Sequence, residues 1–214
     1  MYAVITGASS GIGEQLAKRL AKEGYDLILV ARRRERLAAL ADELRAAHKG
    51  LKCDIFTADL MQLDECQRLS DYLEEKDIEI FINNAGYGDC GLFEETDIAK
   101  EMGMIDVNVR AVHFLTKKLL RQMRVKDRGF ILNVASSAGL IPAGPYDVAN
   151  VRFALKGISA EYCANYAIDR MMKHKTVIVP TLRMKLATTC GRFLPQSLYI
   201  KLVSHQQKKK WHID

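Results

Sequence analysis

The stretch TGASSGIG at Thr6–Gly13 combines three glycines with two serine hydroxyls and carries no charged side chain. It follows a short apolar run and precedes apolar residues at helical spacing, so it marks a turn from a strand into a helix. Without side chains, such a turn lets a pyrophosphate approach the backbone, where the amides and dipole of the helix N-terminus favour negative charge. The pattern therefore predicts a phosphate site made by Gly7, Ser9, Ser10, Gly11, Ile12 and Gly13. Tight packing of the glycines is the alternative.

A second candidate site lies where the next apolar run ends. That run closes on Ala31, and three arginines follow at 32–34. A dinucleotide fold usually places an acidic residue here, about 20 residues past the glycines, to bind the ribose 2′-hydroxyl. Guanidinium groups suit a 2′-phosphate instead, so we expect NADP rather than NAD, with Arg32 as the main contact and Arg33 as the second. An ordinary basic helix start is the alternative, although cations are unfavourable at a helix N-terminus.

Apolar periodicity predicts the elements that must position these residues. Buried strands are predicted at 2–5, 26–31, 51–57, 79–82 and 130–134, and helices at 13–23, 33–47, 62–75 and 97–124. Strands that alternate with helices of this length indicate βαβ units and a parallel sheet covered on both faces. We therefore predict a three-layer, doubly wound α/β fold with a mostly parallel sheet, in a single domain over 1–214. Residues 1–146 would form its cofactor-binding core.

Composition excludes several classes of protein. The 214 residues are 49% apolar and 27% charged, which is typical of a globular domain. No apolar stretch approaches the roughly 20 residues that cross a bilayer. We also expect no signal peptide, because the first apolar run leads directly into the glycine turn. Five widely spaced cysteines form no CxxC pair, which predicts reduced thiols, no metal site and a cytoplasmic location.

The net charge of +6 belongs to the last third of the chain. Residues 1–146 carry a balance of −2, whereas residues 147–214 carry +8. We expect a solvated basic tail, with a membrane surface as the less favoured partner and no nucleic acid. Within the tail, apolar and basic residues at 182–207 predict a helical stretch that is broken at Pro195 and packs on the domain by its apolar side.

Five motifs in chain order resemble those of the short-chain dehydrogenase/reductase family. They are the TGxxxGxG turn at Thr6–Gly13, Asp59-Leu60, Asn83-Asn84-Ala85-Gly86, Asn108 within the long helix, and Asn133–Gly139. The resemblance implies a Rossmann fold, a nicotinamide dinucleotide, and a homodimer or homotetramer. It also implies that the cofactor is contacted by the pair Asp59 and Leu60, the former at the adenine, and by Asn84, Ala85 and Gly86.

The resemblance further implies a reaction, namely hydride exchange between nicotinamide and the carbon of a carbonyl or secondary alcohol. Ser136 would bind the substrate oxygen, with Ser137 as the fallback, and Asn108 would hold a water that relays a proton. A tyrosine would give or take that proton with help from a lysine four residues on. The help is needed because a phenol has a pKa of about 10 and a nearby ammonium favours phenolate. The alternatives are that Asn108 merely bridges its helix and that Ser136 caps a turn.

The tyrosine and lysine are missing from the expected place, because the one Tyr-x-x-x-Lys in the chain, Tyr72 to Lys76, precedes Ser136 and none follows it. The positions where the family places the tyrosine are Val148, Ala149 and Asn150. If the chain is collinear with the family, one helix spans 148–172, Arg152 stands near the lysine position, and the protein is a nucleotide-binding sensor or scaffold without turnover.

The other possibility is that a segment is absent between Tyr146 and Asp147. The residues after the junction would then contain the late helix and, at Thr176–Pro180, the final strand of the sheet. An excised chain would uncover the middle of a parallel sheet and fold poorly. We therefore expect an unrecorded segment at this junction, and an enzyme.

Overall fold

The computed structural model describes residues 1–89, 93–136, 157–190 and 195. Its sheet contains β1 (Tyr2–Thr6), β2 (Asp26–Ala31), β3 (Cys53–Thr57), β4 (Ile78–Asn83) and β5 (Phe130–Asn133). All neighbouring strands are parallel, in the order β3-β2-β1-β4-β5. The predicted doubly wound α/β fold is therefore confirmed.

The helices follow the predicted alternation. They are α1 (Gly11–Lys22), α2 (Arg34–Ala47), α3 (Leu63–Glu74), α4 (Ile98–Ile105), α5 (Val112–Lys126), α6 (Ala160–Met171) and α7 (Leu182–Cys190). A π-helical segment, Asp106–Ala111, joins α4 directly to α5. The single helix predicted over 97–124 is thus continuous, but it contains a change of hydrogen-bonding pattern that apolar spacing does not reveal.

Both faces of the sheet are covered, which explains why the central strands β1 and β2 are apolar over most of their length. On β1, Ile5 packs in a core layer with α1 and α2, whereas its neighbour Val4 packs in a second layer with α3 and α5. On β2, Leu29 packs in the same layer as Ile5, and Ile28 packs in the same layer as Val4. Alternate side chains of a strand point to opposite faces, so each buried strand contributes to two cores.

Helix α6 lies on the α1 face of the sheet. Its Ala164 and Ile168 are buried in the layer that contains Ile5, and its Asp169 accepts a hydrogen bond from Arg19 of α1 at 2.8 Å. The helix begins after Ser159, whose hydroxyl oxygen accepts the N–H of Tyr162 at 3.1 Å. Residues 157–159 are not helical.

The beginning of α6 contradicts the single helix over 148–172 that the collinear hypothesis requires. An N-cap serine ends the non-helical segment at 159, because its side chain satisfies a backbone N–H that the first helical turn leaves unpaired. Arg152 and the junction of Tyr146 with Asp147 lie outside the described residues, so their predictions are not tested.

The strand predicted at Thr176–Pro180 is wrong. These residues form bends and irregular backbone, with Val177 78% exposed and Ile178 packed against the core. A strand needs a neighbour for its backbone groups, and within the described residues β5 is the last strand of the sheet. Apolar composition alone therefore does not make this segment a strand.

The predicted helical tail begins as α7, and its continuation past 190, apart from Pro195, lies outside the described residues. The expectation that its apolar side packs on the domain is wrong for Leu182 and Leu186, which are 72% and 54% exposed. Among the described helices, none has the length and apolar content to span a bilayer.

Candidate dinucleotide site

The predicted site residues meet at one edge of the sheet. All of them except Asn108 follow the carboxyl ends of β1, β2, β3, β4 and β5, and those ends share an edge because the strands are parallel. β1 lies between β2 and β4, so the order of connections reverses beside it. Ligands of open α/β sheets bind at this switch point.

The three glycines of the turn do different things. A Cβ on Gly7, whose φ is +67°, would lie 2.8 Å from Ala85 Cα, and a Cβ on Gly13 would overlap the carbonyl of Gly7. Both glycines therefore permit close packing within the protein. Gly11 has φ +62° and would meet nothing within 4 Å. Of the three, the Gly11 position opens onto space that an anion can enter, and packing accounts for the other two.

Thr6 fastens the glycine turn to the loop after β4. Its buried hydroxyl donates to the carbonyl of Ile82 at 3.2 Å and accepts the N–H groups of Asn84 and Ala85, both at 3.0 Å. In return, Asn84 Nδ2 donates to the Thr6 carbonyl at 2.9 Å. Asn84 and Ala85 are thus structural members of the site, and Thr6, for which residue type alone suggests no role, holds them. Gly86 follows them on the exposed side.

The N-terminus of α1 carries no side-chain cap. The preceding Ser10 is extended, with φ −174° and ψ 165°, and makes no capping bond to the helix. The first N–H groups of a helix have no partner within it, so those beside Gly11 and Ile12 suit a phosphate oxygen. This is the observation by which the turn fits a pyrophosphate.

Arg33 lies over the same turn. Its Nη2 donates to Ser9 Oγ and to Ser10 Oγ, both at 2.8 Å, and its Nε donates to Ser9 Oγ at 3.2 Å. Because the serines accept these bonds, their hydroxyl protons remain available to an acceptor. Arg32 is exposed at the end of β2. The structure therefore brings Arg33, not the favoured Arg32, to the glycine turn.

Asp59 and Leu60 shape the loop after β3. The N–H of Ala58 donates to the carbonyl of Ala31 at 3.2 Å, which ties this loop to the end of β2. Asp59 Oδ1 accepts the N–H of Met61 at 3.1 Å, and the side chain of Leu60 is buried in the core. Asp59 is partly exposed at the site edge, whereas Leu60 supports the loop from within.

Asn108 lies in the π-helical segment and is bonded to the loop after β4. Its Nδ2 donates to the carbonyl of Tyr87 at 2.8 Å, and the N–H of Tyr87 donates to its Oδ1 at 3.2 Å. A Cβ on Gly86 would lie 2.7 Å from that Oδ1. The bridging alternative for Asn108 is therefore present, although one N–H and one lone pair of the amide remain. No sequence signal pointed to Tyr87.

Ser136 lies at the same edge, beyond β5, and its side chain is exposed. The exit of β5 is fixed by the N–H of Val134, which donates to the carbonyl of Asn83 at 2.9 Å. Asn83 Nδ2 also donates to Asn133 Oδ1 at 2.8 Å. Ser137 lies outside the described residues.

The sequence Tyr72-x-x-x-Lys76 lies at the end of α3, where Lys76 Nζ is 4.8 Å from the centre of the Tyr72 ring. A further tyrosine–lysine pair joins α6 to α7. Lys185 Nζ donates to the Tyr166 hydroxyl at 3.1 Å, and this bond, with a further contribution from Arg170, lowers the pKa of the phenol. The pair lies on α6 and α7 rather than at a carboxyl end of a strand. It therefore does not replace the missing catalytic pair.

Comparison with known proteins identifies the family. Residues 1–167 match the short chain dehydrogenase family, and the chain belongs to it. It is 34% identical over 149 residues to the very-long-chain 3-oxoacyl-CoA reductase of Neurospora crassa, which covers 68% of this chain and 45% of that protein. It is 33% identical over 180 residues to an NADP-dependent 3-hydroxy acid dehydrogenase of Salmonella typhi, covering 79% and 66% of the two chains.

Among solved structures, a short-chain dehydrogenase from Sphingobium yanoikuyae in complex with NADPH superimposes with a TM-score of 0.76. The two are 25% identical, and the match covers 92% of this chain and 94% of that one. The resemblance that the five motifs predicted is thus confirmed. The chain spans about half the length of several of the curated relatives that it matches.

Proposed function

We propose that the protein is an NADP-dependent oxidoreductase that transfers a hydride between nicotinamide and a carbonyl or secondary alcohol substrate. The observation that carries the proposal is the position of Arg33, whose guanidinium lies over Ser9 and Ser10. The residue at the end of β2 is Ala31, so no carboxylate from that position competes for the guanidinium. A cation held between the glycine turn and the end of β2 suits a ribose 2′-phosphate.

The residues present fit the rest of a dinucleotide. The uncapped N-terminus of α1 and the open space at Gly11 would hold the pyrophosphate. Asp59, in the loop after β3, would contact the adenine. When bound, the nicotinamide supplies or accepts the hydride. The names of the Salmonella and Sphingobium relatives, which include NADP and NADPH, support the choice of cofactor.

Ser136 and Asn108 would serve the substrate. The Ser136 hydroxyl would donate to the substrate oxygen, and Asn108 would hold a water with the N–H or lone pair that Tyr87 leaves unused. The sequence contains no Tyr-x-x-x-Lys after Ser136 to complete the proton path. That absence favours the second candidate function, a nucleotide-binding sensor or scaffold without turnover.

The position of α6 supports the enzyme over the sensor. A right-handed crossover that left β5 in the direction from β4 to β5 would place its helix on the face of α3 and α5. α6 lies on the α1 face instead, so it is not the helix that such a crossover would provide. This placement agrees with a segment absent between Tyr146 and Asp147.

Two measurements test the proposal. Titration of NADPH and NADH against the purified chain is expected to give NADPH at least about tenfold tighter, the value of one charge-assisted contact. The intact mass of the purified protein then shows whether it contains a segment between Tyr146 and Asp147 beyond the 214 residues. Oxidation of NADPH with a panel of ketones shows whether the protein turns over a substrate. Equal affinities would end the claim for NADP. Tight NADPH without turnover, in a chain of the written mass, would establish the sensor.

A further inference from the structure

Arg110 connects two segments of the candidate site that are distant in sequence. Its Nη2 donates to the main-chain oxygen of Met61 at 2.7 Å and lies 3.1 Å from the carboxylate of Asp106, one turn earlier. Met61 in turn donates its N–H to Asp59 Oδ1 at 3.1 Å. Arg110 therefore joins the π-helical segment to the loop that we assign to adenine.

The same loop is packed against α4. A Cβ on Gly103 would overlap Met61 Cε and lie 2.5 Å from Tyr87 Oη, so glycine allows both side chains to lie close against the helix. The Tyr87 hydroxyl donates to the carbonyl of Lys100 at 2.9 Å. The loops after β3 and β4 thus both contact α4, through Met61 and Tyr87. A movement of one loop against this helix can therefore affect the other loop.

The π-helical segment carries both outward contacts. Asn108 bonds to the backbone of Tyr87, and two residues later Arg110 bonds to the backbone of Met61. A π segment departs from the hydrogen-bonding pattern of the helices around it, and such segments occur frequently at functional sites. Because the two contacts lie two residues apart in one helical segment, we expect a shift at Arg110 to reach Asn108.

We infer that Arg110 is a positioning residue, through which occupation of the adenine end of the site sets the position of Asn108. The inference rests on the proposed nucleotide binding. Ordering of the Asp59–Met61 loop by an adenosine group strengthens the bond from Arg110, and that bond steadies the π-helical segment. Because coupling between two sites is reciprocal, steadying Asn108 also favours binding at the adenine end.

The test uses adenosine 2′,5′-bisphosphate, which fills only the adenosine end, and hydrogen exchange of the full chain. In the wild type, saturation is expected to slow amide exchange both in residues 59–62 and in residues 104–112. The slowing at 104–112 is expected to be about three- to tenfold, as for the strengthening of one hydrogen bond. Arg110→Met keeps the aliphatic stem and loses the donor, so only residues 59–62 should then be slowed.

Two further variants make the result specific. Arg110→Lys retains a donor and should restore slowing at 104–112, whereas Arg121→Met makes the same change of charge on α5 and should leave the wild-type pattern. Slowing at 104–112 that persists in Arg110→Met would overturn the inference alone. Absence of slowing at 59–62 in the wild type would overturn the proposed nucleotide site, and this inference with it.

Discussion

The carboxyl edge of the sheet is built differently at its two sides. Where β1 and β4 end, the Thr6 hydroxyl makes three bonds and Asn84 returns a fourth, so the glycine turn and the next loop hold each other. Beyond β5, the N–H of Val134 donates to the carbonyl of Asn83, and Ser136 is exposed two residues later. The loops after β1 and β4 are thus bonded to each other, whereas the exit of β5 is tied to the end of β4.

Under the proposed function, we expect nucleotide binding and substrate chemistry to be separable in this chain. Residues within the packed turn should matter for both stability and nucleotide affinity, whereas exposed cations around it should matter for affinity alone. The opposite edge of the sheet, where β4 begins, offers a comparison that is remote from the ligand.

The largest effect is expected from Gly13→Ala. The new Cβ would overlap the carbonyl of Gly7, which is backbone and cannot rotate away, so we expect a loss of about 3 kcal/mol in the free energy of unfolding. Nucleotide binding should be lost with it. Urea unfolding measures the change, and Gly88→Ala, where a Cβ would meet nothing within 4 Å, is the matched control. Equal stability of the two variants would contradict the packing role of Gly13.

Thr6→Val should come close behind. Valine keeps the shape of threonine but leaves the N–H groups of Asn84 and Ala85 without their acceptor, at a cost of about 2–3 kcal/mol. Thr188→Val is the control, because that hydroxyl bonds to carbonyls of its own helix, and it should stay within about 0.5 kcal/mol of the wild type. If Thr6→Val unfolds at the wild-type urea concentration, the two loops do not depend on this hydroxyl.

Arg33→Ala should change affinity more than stability. It removes the guanidinium over Ser9 and Ser10, so we expect NADPH to bind at least about tenfold more weakly while NADH is little affected. Arg36→Ala removes the same charge from an exposed position on α2 and should change neither affinity. Fluorescence titration measures both affinities, and a larger loss in Arg32→Ala than in Arg33→Ala would return the main role to Arg32.

The smallest effect is expected at the amino edge of the sheet. Hydrogen bonds from Lys126 and then Arg128 lower the pKa of Asp77. A lowered folded-state pKa contributes stability above the unfolded value of about 3.9, and that contribution is lost as the pH falls through the folded-state pKa. Because the carboxylate is 44% exposed, Asp77→Asn should cost less than about 1 kcal/mol at pH 7.

The measurement for Asp77 is urea unfolding from about pH 7 to about pH 2.5. The difference between wild type and Asp77→Asn should shrink below about pH 4, where the wild-type carboxylate becomes protonated. Glu74→Gln, at an exposed position on α3, is the control and should change the free energy of unfolding at pH 7 by less than about 0.5 kcal/mol. A difference that stays constant with pH would mean that Asp77 acts through packing rather than charge.

The sequence could predict the features that depend on residues close together along the chain. The strands around Ile5 and Leu29 arise from short apolar runs, and the glycine turn arises from residue types within Thr6–Gly13. That Arg33 rather than Arg32 bonds to Ser9 depends on where β2 ends relative to the glycine turn, which is a tertiary relation. Thr176–Pro180 has the composition of a strand but lacks a described partner, and no local pattern carries that information.

The uncapped N-terminus of α1 has a consequence for how the protein should be handled. The first N–H groups of a helix that lacks a side-chain cap need acceptors from outside the helix. In α1, a phosphate group of the nucleotide would accept these hydrogen bonds. A nucleotide that binds only the folded chain increases the free energy of unfolding, by about 2.7 kcal/mol when its concentration is one hundred times its dissociation constant. The melting temperature therefore rises with the nucleotide concentration. Protein that is purified without nucleotide should therefore unfold more easily, and added nucleotide should stabilise it during storage.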